Sequence, residues 1–197
     1  MKVDFVAEWL AANLGSSTDA DVVVQLTNLQ RCVTIRENLG GKDVRISGCE
    51  DSYIYIDSPV DFLSVSNCSN TTVLCAAVAK SATVQKCEKS VVTVAAKYLR
   101  VGNSVDCNVF SFCVMGPPII YGDSRSLQLG PFNAGFTSLA EHLAQADLPF
   151  APPQATPQQM MAHRECSTNF LRPVLLLNET SGITFVQAQD FMRLSLP

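Results

Sequence analysis

The sequence predicts a mainly β protein, a right-handed parallel β-helix (solenoid) with short flanking helices. Three observations support this prediction. A short phrase recurs four times between Val44 and Val114, each copy alternates apolar and polar residues, and the chain is 47% hydrophobic but only 16% charged. Because one such rung cannot bury its apolar face alone, we expect the copies to stack along an axis.

Each copy of the repeat contains a cysteine. Cys49, Cys68 and Cys87 follow one another at a constant interval, and Cys107 comes one residue later than that interval would place it. Small or apolar residues recur five and seven places after the cysteine, at Ile54, Val73, Val92 and Phe112 and at Ile56, Cys75, Val94 and Val114. A hydroxyl recurs three places after the first three cysteines, at Ser52, Thr71 and Ser90. We interpret the longer last step as a turn-like insertion at Val101–Ser104.

The residues before the repeat predict an N-terminal unit over residues 1–20, consisting of an amphipathic helix over 1–15 and a polar linker. Its apolar residues fall on one helical face at Val6, Trp9, Leu10 and Leu14. This helix can cap the open end of the solenoid, or it can bind a partner or a membrane surface. The polar face lacks the Lys and Arg residues typical of membrane-surface helices, which favours the cap.

The solenoid is expected to occupy residues 21–148. An irregular first rung begins at Val22, and Gly40-Gly41 forms a turn before the regular rungs. Pro117-Pro118 opens a further rung in which Leu127 and Leu129 alternate as a strand.

A second helix is predicted over about 138–146, across the flank of the solenoid. Ser138 and Glu141 have the spacing of a capping box, and Leu139 and Leu143 follow at helical spacing. Residues 149–197 form a Pro-rich segment and a C-terminal extension, whose two apolar runs resemble edge or returning strands.

Composition narrows the classes of function. The net charge is −4, which argues against nucleic acid as the main partner because phosphate binding needs a basic surface. No stretch approaches the roughly 18 uninterrupted apolar residues of a membrane span, so no integral membrane segment is expected. Asp4 and Glu8 interrupt the N-terminal apolar segment, which is unlike a signal peptide, so the eight cysteines are expected to be reduced thiols.

The cysteine ladder admits three interpretations. Stacked rungs lie about 4.8 Å apart, which would bring thiols near disulfide distance. Structural zinc sites usually contain a C-x-x-C pair, which is missing from the sequence. Buried packing is favoured, because free cysteine is among the most buried residue types. No metal site and no cofactor are expected.

Other catalytic patterns are weak. His142 and His163 are the only histidines, and His163–Cys166 contains no acid or amide placed to orient a Cys/His pair. Phosphate-binding glycine loops are absent, as are the paired carboxylates of carbohydrate-acting β-helices.

The candidate site is the pair Lys97 and Arg100, two cations in an apolar rung beside the irregular step. An arginine presented on rigid strands can enter a neighbouring GTPase and stabilise phosphoryl-transfer charge. Alternatively, Arg100 is a solvated cation at a strand edge, which discourages edge pairing.

Four segments together resemble the tubulin-folding cofactor C (TBCC) domain family. They are GCEDSYIYIDSPVDFLSVSNC at Gly48–Cys68, PPII at Pro117–Ile120, LQLGPF at Leu127–Phe132 and LAEHLAQADL at Leu139–Leu148. The resemblance extends over about Val22 to Arg164 and implies a β-helix of triangular cross-section. It also implies a cytoskeletal role.

Some members of that family stimulate GTP hydrolysis by tubulin or an ARF-like GTPase, using an arginine three residues after a glutamine. By this resemblance Arg100 keeps the arginine, whereas Lys97 replaces the glutamine. One branch generally lacks the finger and works at centrosomes, spindle poles or basal bodies. The resemblance therefore implies a non-enzymatic cytoskeletal adaptor with protein partners, and alternatively a GTPase activator that uses Arg100. Neither the partner nor the oligomeric state follows from the sequence.

Overall fold

The computed structural model describes residues 23–148, 174–176 and 182–185. The helix predicted over residues 1–15, its linker, the Pro-rich segment Pro149–Gln159 and His163–Cys166 lie outside the described residues. The described strands are β1 Val23–Thr27, β2 Val33–Glu37, β3 Asp43–Ser47, β4 Tyr53–Asp57, β5 Val60–Ser66, β6 Thr72–Gln85, β7 Val91–Gly102, β8 Asn108–Cys113, β9 Ile119–Tyr121, β10 Gln128–Pro131, β11 Val174–Leu176 and β12 Thr184–Phe185. The described helix is α1, Leu139–Gln145.

The strands stack in parallel into a β-solenoid of about six turns, which confirms the predicted fold class. Each turn has three faces. Face A contains β1, β3, β5, the second halves of β6 and β7, β9 and β11. Face C contains β2, β4, the first halves of β6 and β7, β8, β10 and β12. Face B is one residue wide and consists of isolated bridges between Gln30, Glu50, Ser69, Glu88, Val105 and Arg125.

Left-handed residues produce the two sharp corners on either side of face B. In the third turn Asn67 has φ 53° and Asn70 has φ 47°, with only Cys68 and Ser69 between them. The equivalent residues of the other turns also have positive φ, at Asn28, Gly48, Lys86, Asn103 and Gly122 on one corner and at Arg31, Asp51, Lys89, Asp106 and Ser126 on the other. Most are Asn, Asp or Gly, the residues that adopt this conformation at least cost.

The interior is filled by stacked aliphatic columns. Ile46, Val65, Val84 and Val101 form one column on face A, and Ile54, Val73, Val92 and Val109 form its counterpart on face C. All eight side chains are fully buried. This is the period-two alternation of the repeat, with each inward residue stacked on the equivalent residue of the next turn.

The alignment of the fourth copy was wrong. Glu88 and Val105 are bridge partners, and they lie two positions closer together in the sequence than the bridge partners Ser69 and Glu88. The fourth turn is two residues shorter than the third at the corner between faces C and A. This corner lies before the proposed insertion at Val101–Ser104. The partners of Cys75 and Ser81, six positions apart, are Val94 and Tyr98, only four apart.

As a result Cys107 takes the position of the recurring hydroxyl and Ser104 takes the position of the recurring cysteine. The Cys107 thiol donates to the carbonyl of Val105 at 3.3 Å, as the Ser90 hydroxyl donates to Glu88 at 2.9 Å. Ser104 donates to the carbonyl of Gly102 at 2.9 Å. The next residues shift with them, so Val109 rather than Phe112 stacks on Val92.

The two apolar runs near the C-terminus supply returning strands. β11 pairs in parallel with β9, and β12 pairs in parallel with β10. The prediction of edge or returning strands is therefore confirmed within the described parts of those runs, and the register shows that they return to the solenoid.

Helix α1 packs on the outer side of face C, close to its predicted bounds. Leu139 and Leu143 are buried in a second apolar cluster with Tyr55 and Leu74 of the solenoid. The capping box was wrong, because the Ser138 side chain makes no cap hydrogen bond and donates instead to Asp57 Oδ1 at 2.8 Å. The hydroxyl thus ties the helix to β4.

Candidate functional site

Arg100 lies on the outer side of face A, near the end of β7. Its neighbours Leu99 and Val101 point into the core and are buried. Arg100 therefore points outward, in the same column as Arg45, with Ser64 and Thr83 between them. The strand that carries Arg100 is paired on both sides, with β6 and β9, which fixes its backbone.

The Arg100 side chain packs against Tyr121, which lies near Arg100 on the next turn of face A. Arg100 Nη2 donates to Tyr121 Oη at 3.2 Å, and Arg100 Cζ lies 4.9 Å from the centre of the tyrosine ring. Tyr121 Oη donates in turn to Gln85 Oε1 at 3.4 Å. This hydrogen bond and the cation–π contact hold the guanidinium against the outer side of face A.

Gly102 makes room for the tyrosine ring. A Cβ atom on Gly102 would overlap Tyr121 Cζ and would lie 2.5 Å from both Cε atoms. Because Gly102 and Tyr121 are register partners on β7 and β9, any side chain at Gly102 would displace the ring that supports Arg100.

Lys97 is engaged elsewhere. Its Nζ lies 3.0 Å from Asp147 Oδ2, just beyond the end of α1, where Asp147 has φ 52°. Lys97 thus joins the solenoid corner to the helix, while Arg100 contacts Tyr121. The two candidate residues act in separate contacts.

Asp57 forms a second polar contact beneath α1. It accepts the hydrogen bond from Ser138, and its Oδ1 lies 3.4 Å from His142 Nδ1. The His142 ring also lies against Phe136, with ring centres 6.1 Å apart. These contacts position the helix, and they place His142 in a structural role.

The cysteines of the described residues are packing residues. Cys32, Cys49, Cys68, Cys75, Cys87, Cys107 and Cys113 are free thiols, and all but Cys32 are buried. Burial raises the pKa of the Cys75 and Cys113 thiols to about 12. Among the described residues no group of three or more His, Cys, Asp or Glu side chains is arranged to hold a metal ion. That same part of the chain contains no helix both long and apolar enough to cross a membrane.

Tyr121, Gly102 and Gln85 were missed by the sequence reasoning. They stand on three different turns, and only the register of face A brings them together. The signal available in the sequence was Gly102, because a glycine inside a strand often marks a close approach by a neighbouring group. Without the true length of the irregular turn, Gly102 could not be aligned with Tyr121.

Comparison with known families gives a match over most of the solenoid. The family model described as "Tubulin binding cofactor C" matches residues 41–158, which is more than half of the chain and includes Lys97 and Arg100. The described solenoid from β3 to α1 lies within that range.

Curated relatives point to the same family. Proteins named "TBCC domain-containing protein 1" are similar to this chain. The one from Danio rerio is 31% identical over 116 residues, covering 59% of this chain and 20% of the relative. The one from Gallus gallus is 25% identical over 167 residues, covering 84% of this chain and 29% of the relative. The one from Homo sapiens is 23% identical over 131 residues, covering 66% and 23%. The chain therefore spans less than a third of the length of these relatives.

Proposed function

The chain belongs to the tubulin binding cofactor C family, and from this membership we propose that it is a non-enzymatic cytoskeletal adaptor. It acts by binding proteins, tubulin among the candidates, at the centrosome and spindle pole or at a flagellar basal body. Fold and family support a tubulin-cofactor-C-like protein. The place of action and the partner belong to the proposal.

The observation that carries the adaptor proposal is the position of Lys97. The resemblance places a glutamine there in the GTPase-activating members, beside the finger arginine. In this chain the residue is a lysine whose ammonium is paired with Asp147. A lysine engaged with the end of α1 supports a structural use of this position. The outer side of face A, which α1 does not cover, is the surface proposed for partners.

Localisation tests the adaptor proposal. We expect the chain, carrying a fluorescent tag, to concentrate at the centrosome or basal body, together with a marker of that organelle. An Arg100→Ala variant should concentrate equally, because the proposed role needs no catalytic arginine. An even distribution of the unaltered chain through the cell would contradict the proposal.

The geometry of Arg100 favours a second function, a GTPase activator for tubulin or an ARF-like small GTPase. Arg100 points outward from a strand paired on both sides, and Tyr121 holds its guanidinium in place. A pre-positioned arginine can stabilise the charge that develops during phosphoryl transfer.

Single-turnover GTP hydrolysis tests this second function. If Arg100 is a finger, Arg100→Ala should lose on the order of 10³-fold or more of the stimulated rate while the complex still forms. Arg100→Lys is the matched control, since it keeps the charge but not the planar fork. No stimulation of either GTPase by the unaltered chain would remove this option.

A further inference from the structure

One column of outward side chains on face C is covered unequally along the solenoid. Ile35, Tyr55, Leu74, Thr93 and Phe110 are register partners on successive turns. Tyr55 and Leu74 are buried in the apolar cluster that α1 completes with Leu139, Leu143 and Leu148. Ile35, at the N-terminal end of the same column, is 41% exposed. Within the described residues, the covering layer stops one turn short of the N-terminal end of the solenoid.

The uncovered turn carries a compact apolar surface. Val33 is 64% exposed and its register partner Tyr53 is 50% exposed. With Ile35 they form what we call the β2 patch. These three residues and Met115 are the exposed large hydrophobic residues of the described parts of the chain. β2 has a strand partner, β4, on one side within those parts, so the patch adjoins the end of the solenoid.

The N-terminal segment, residues 1–15, has the composition to complete this layer. Its apolar residues occur at helical spacing on one face, at Val6, Trp9, Leu10 and Leu14. The connection Ser16–Val22 is seven residues long and extends to at most about 24 Å.

We propose that residues 1–15 form a helix that docks its apolar face on the β2 patch, beside α1, and completes the outer layer of face C. This inference goes beyond the adaptor proposal and does not depend on it. A membrane is a poorer occupant, because Asp4 and Glu8 on the helix would oppose an anionic surface. A second copy is also poorer, because three side chains are few beside the roughly 20 to 30 residues that each partner contributes to a stable interface.

The experiment uses Trp9, the only tryptophan in the chain. In the unaltered protein we expect blue-shifted Trp9 emission and weak acrylamide quenching, compared with the same chain in denaturant. Val33→Asp combined with Ile35→Asp should shift the emission towards that of the denatured chain and raise the quenching constant several-fold. Both positions are exposed, so the far-ultraviolet circular dichroism should remain that of the solenoid. Met115→Asp, at a residue 50% exposed elsewhere, is the matched control and should change neither quantity.

Other outcomes would overturn the proposal. If acrylamide quenches Trp9 as strongly in the unaltered protein as in the denatured chain, the helix is not docked. A change of emission with protein concentration would identify a second copy as the occupant, and a change only on adding anionic vesicles would identify a membrane. If the double variant fails to fold, Leu10→Asp releases the helix from its own side and leaves the solenoid unaltered. Unchanged Trp9 emission in that variant would equally contradict docking.

Discussion

At the scale of single residues, Gly102 and Tyr121 decide how Arg100 is presented. The tyrosine ring occupies the space that a side chain at Gly102 would need. The guanidinium then lies over the ring, and the phenol oxygen accepts its hydrogen bond. Whichever function Arg100 has, the direction of its side chain depends on the residue at position 102 being a glycine.

We expect Gly102→Ala to destabilise the protein by about 1–3 kcal/mol, because overpacking forces the half-buried Tyr121 ring to move. Urea unfolding measures the change. Gly40→Ala is the matched control, since a Cβ there would meet nothing within 4 Å and the residue is outside the left-handed region. Equal stability of the two variants would show that the ring adapts without cost.

Cys75 and Cys113 should make stability fall at alkaline pH. Burial raises the pKa of both thiols to about 12, from an ordinary value of 9.0. The folded state therefore keeps protons that the unfolded state loses. Their contribution is complete below about pH 9 and declines as pH rises towards 12, by about 1.4 kcal/mol per pH unit for each thiol.

Comparing variants isolates this contribution from other titrating groups. In Cys75→Ala the free energy of unfolding should fall less steeply between pH 9 and 11. The slope should be smaller by the contribution of one thiol, about 1.4 kcal/mol per pH unit. Val73→Ala, which truncates a non-titrating side chain in the same core, should keep the slope of the unaltered protein. Parallel slopes for all three proteins would refute the assignment.

At the scale of elements, each turn has two left-handed residues, one at each corner beside face B. Asn67 and Asn103 suit this conformation, whereas Lys86 occupies the equivalent corner between them with φ 53°. A residue with a Cβ and a long side chain adopts this region at a cost of roughly 1–2 kcal/mol, and asparagine adopts it more readily.

Lys86→Asn should therefore raise the melting temperature, with a gain on the order of 1 kcal/mol or less. Lys42→Asn is a suitable control, because Lys42 is also exposed but has no left-handed backbone. A gain of the same size in both variants would show that removing a lysine, not relieving the corner, is responsible.

The corners also explain what the sequence could and could not predict. The constant spacing of Cys49, Cys68 and Cys87 identified three turns correctly, because inward residues must repeat when turns stack. Cys107 misled the alignment, since a cysteine fits on either side of face B and donates to the carbonyl two residues earlier in both places. Only backbone pairing separates the two positions.

Predicting the contacts on the outside of the solenoid required that same alignment. Arg100 was identified as a cation on a rung, but its partner Tyr121 required the register of β7 with β9. Ser138 was identified at the start of the helix, yet its hydroxyl binds Asp57, 81 residues away in the chain. Spacing within a repeat predicts stacking along the solenoid, whereas these contacts join different turns or a turn and a helix.

At the scale of the whole molecule, the solenoid takes its last described strands from a distant part of the chain. β11 and β12 pair with β9 and β10, although α1 and the residues up to 173 intervene in the sequence. Each new strand satisfies backbone donors and acceptors along the edge of the turn before it. An uncovered parallel edge of this kind is a template for pairing with another chain.

We therefore expect a chain ending at Leu148 to melt at a lower temperature and to associate as its concentration rises. The truncation removes β11 and β12 and leaves the outer edges of β9 and β10 without these strands.

Leu175→Pro is a milder test of the same edge, because it removes one backbone donor from β11. Leu175→Ala keeps that donor and serves as its control. Light scattering coupled to size-exclusion chromatography measures association, and circular dichroism measures the melting temperature. A truncated chain with the association and melting temperature of the full chain would mean that the turn ending at β10 is stable without the two returning strands.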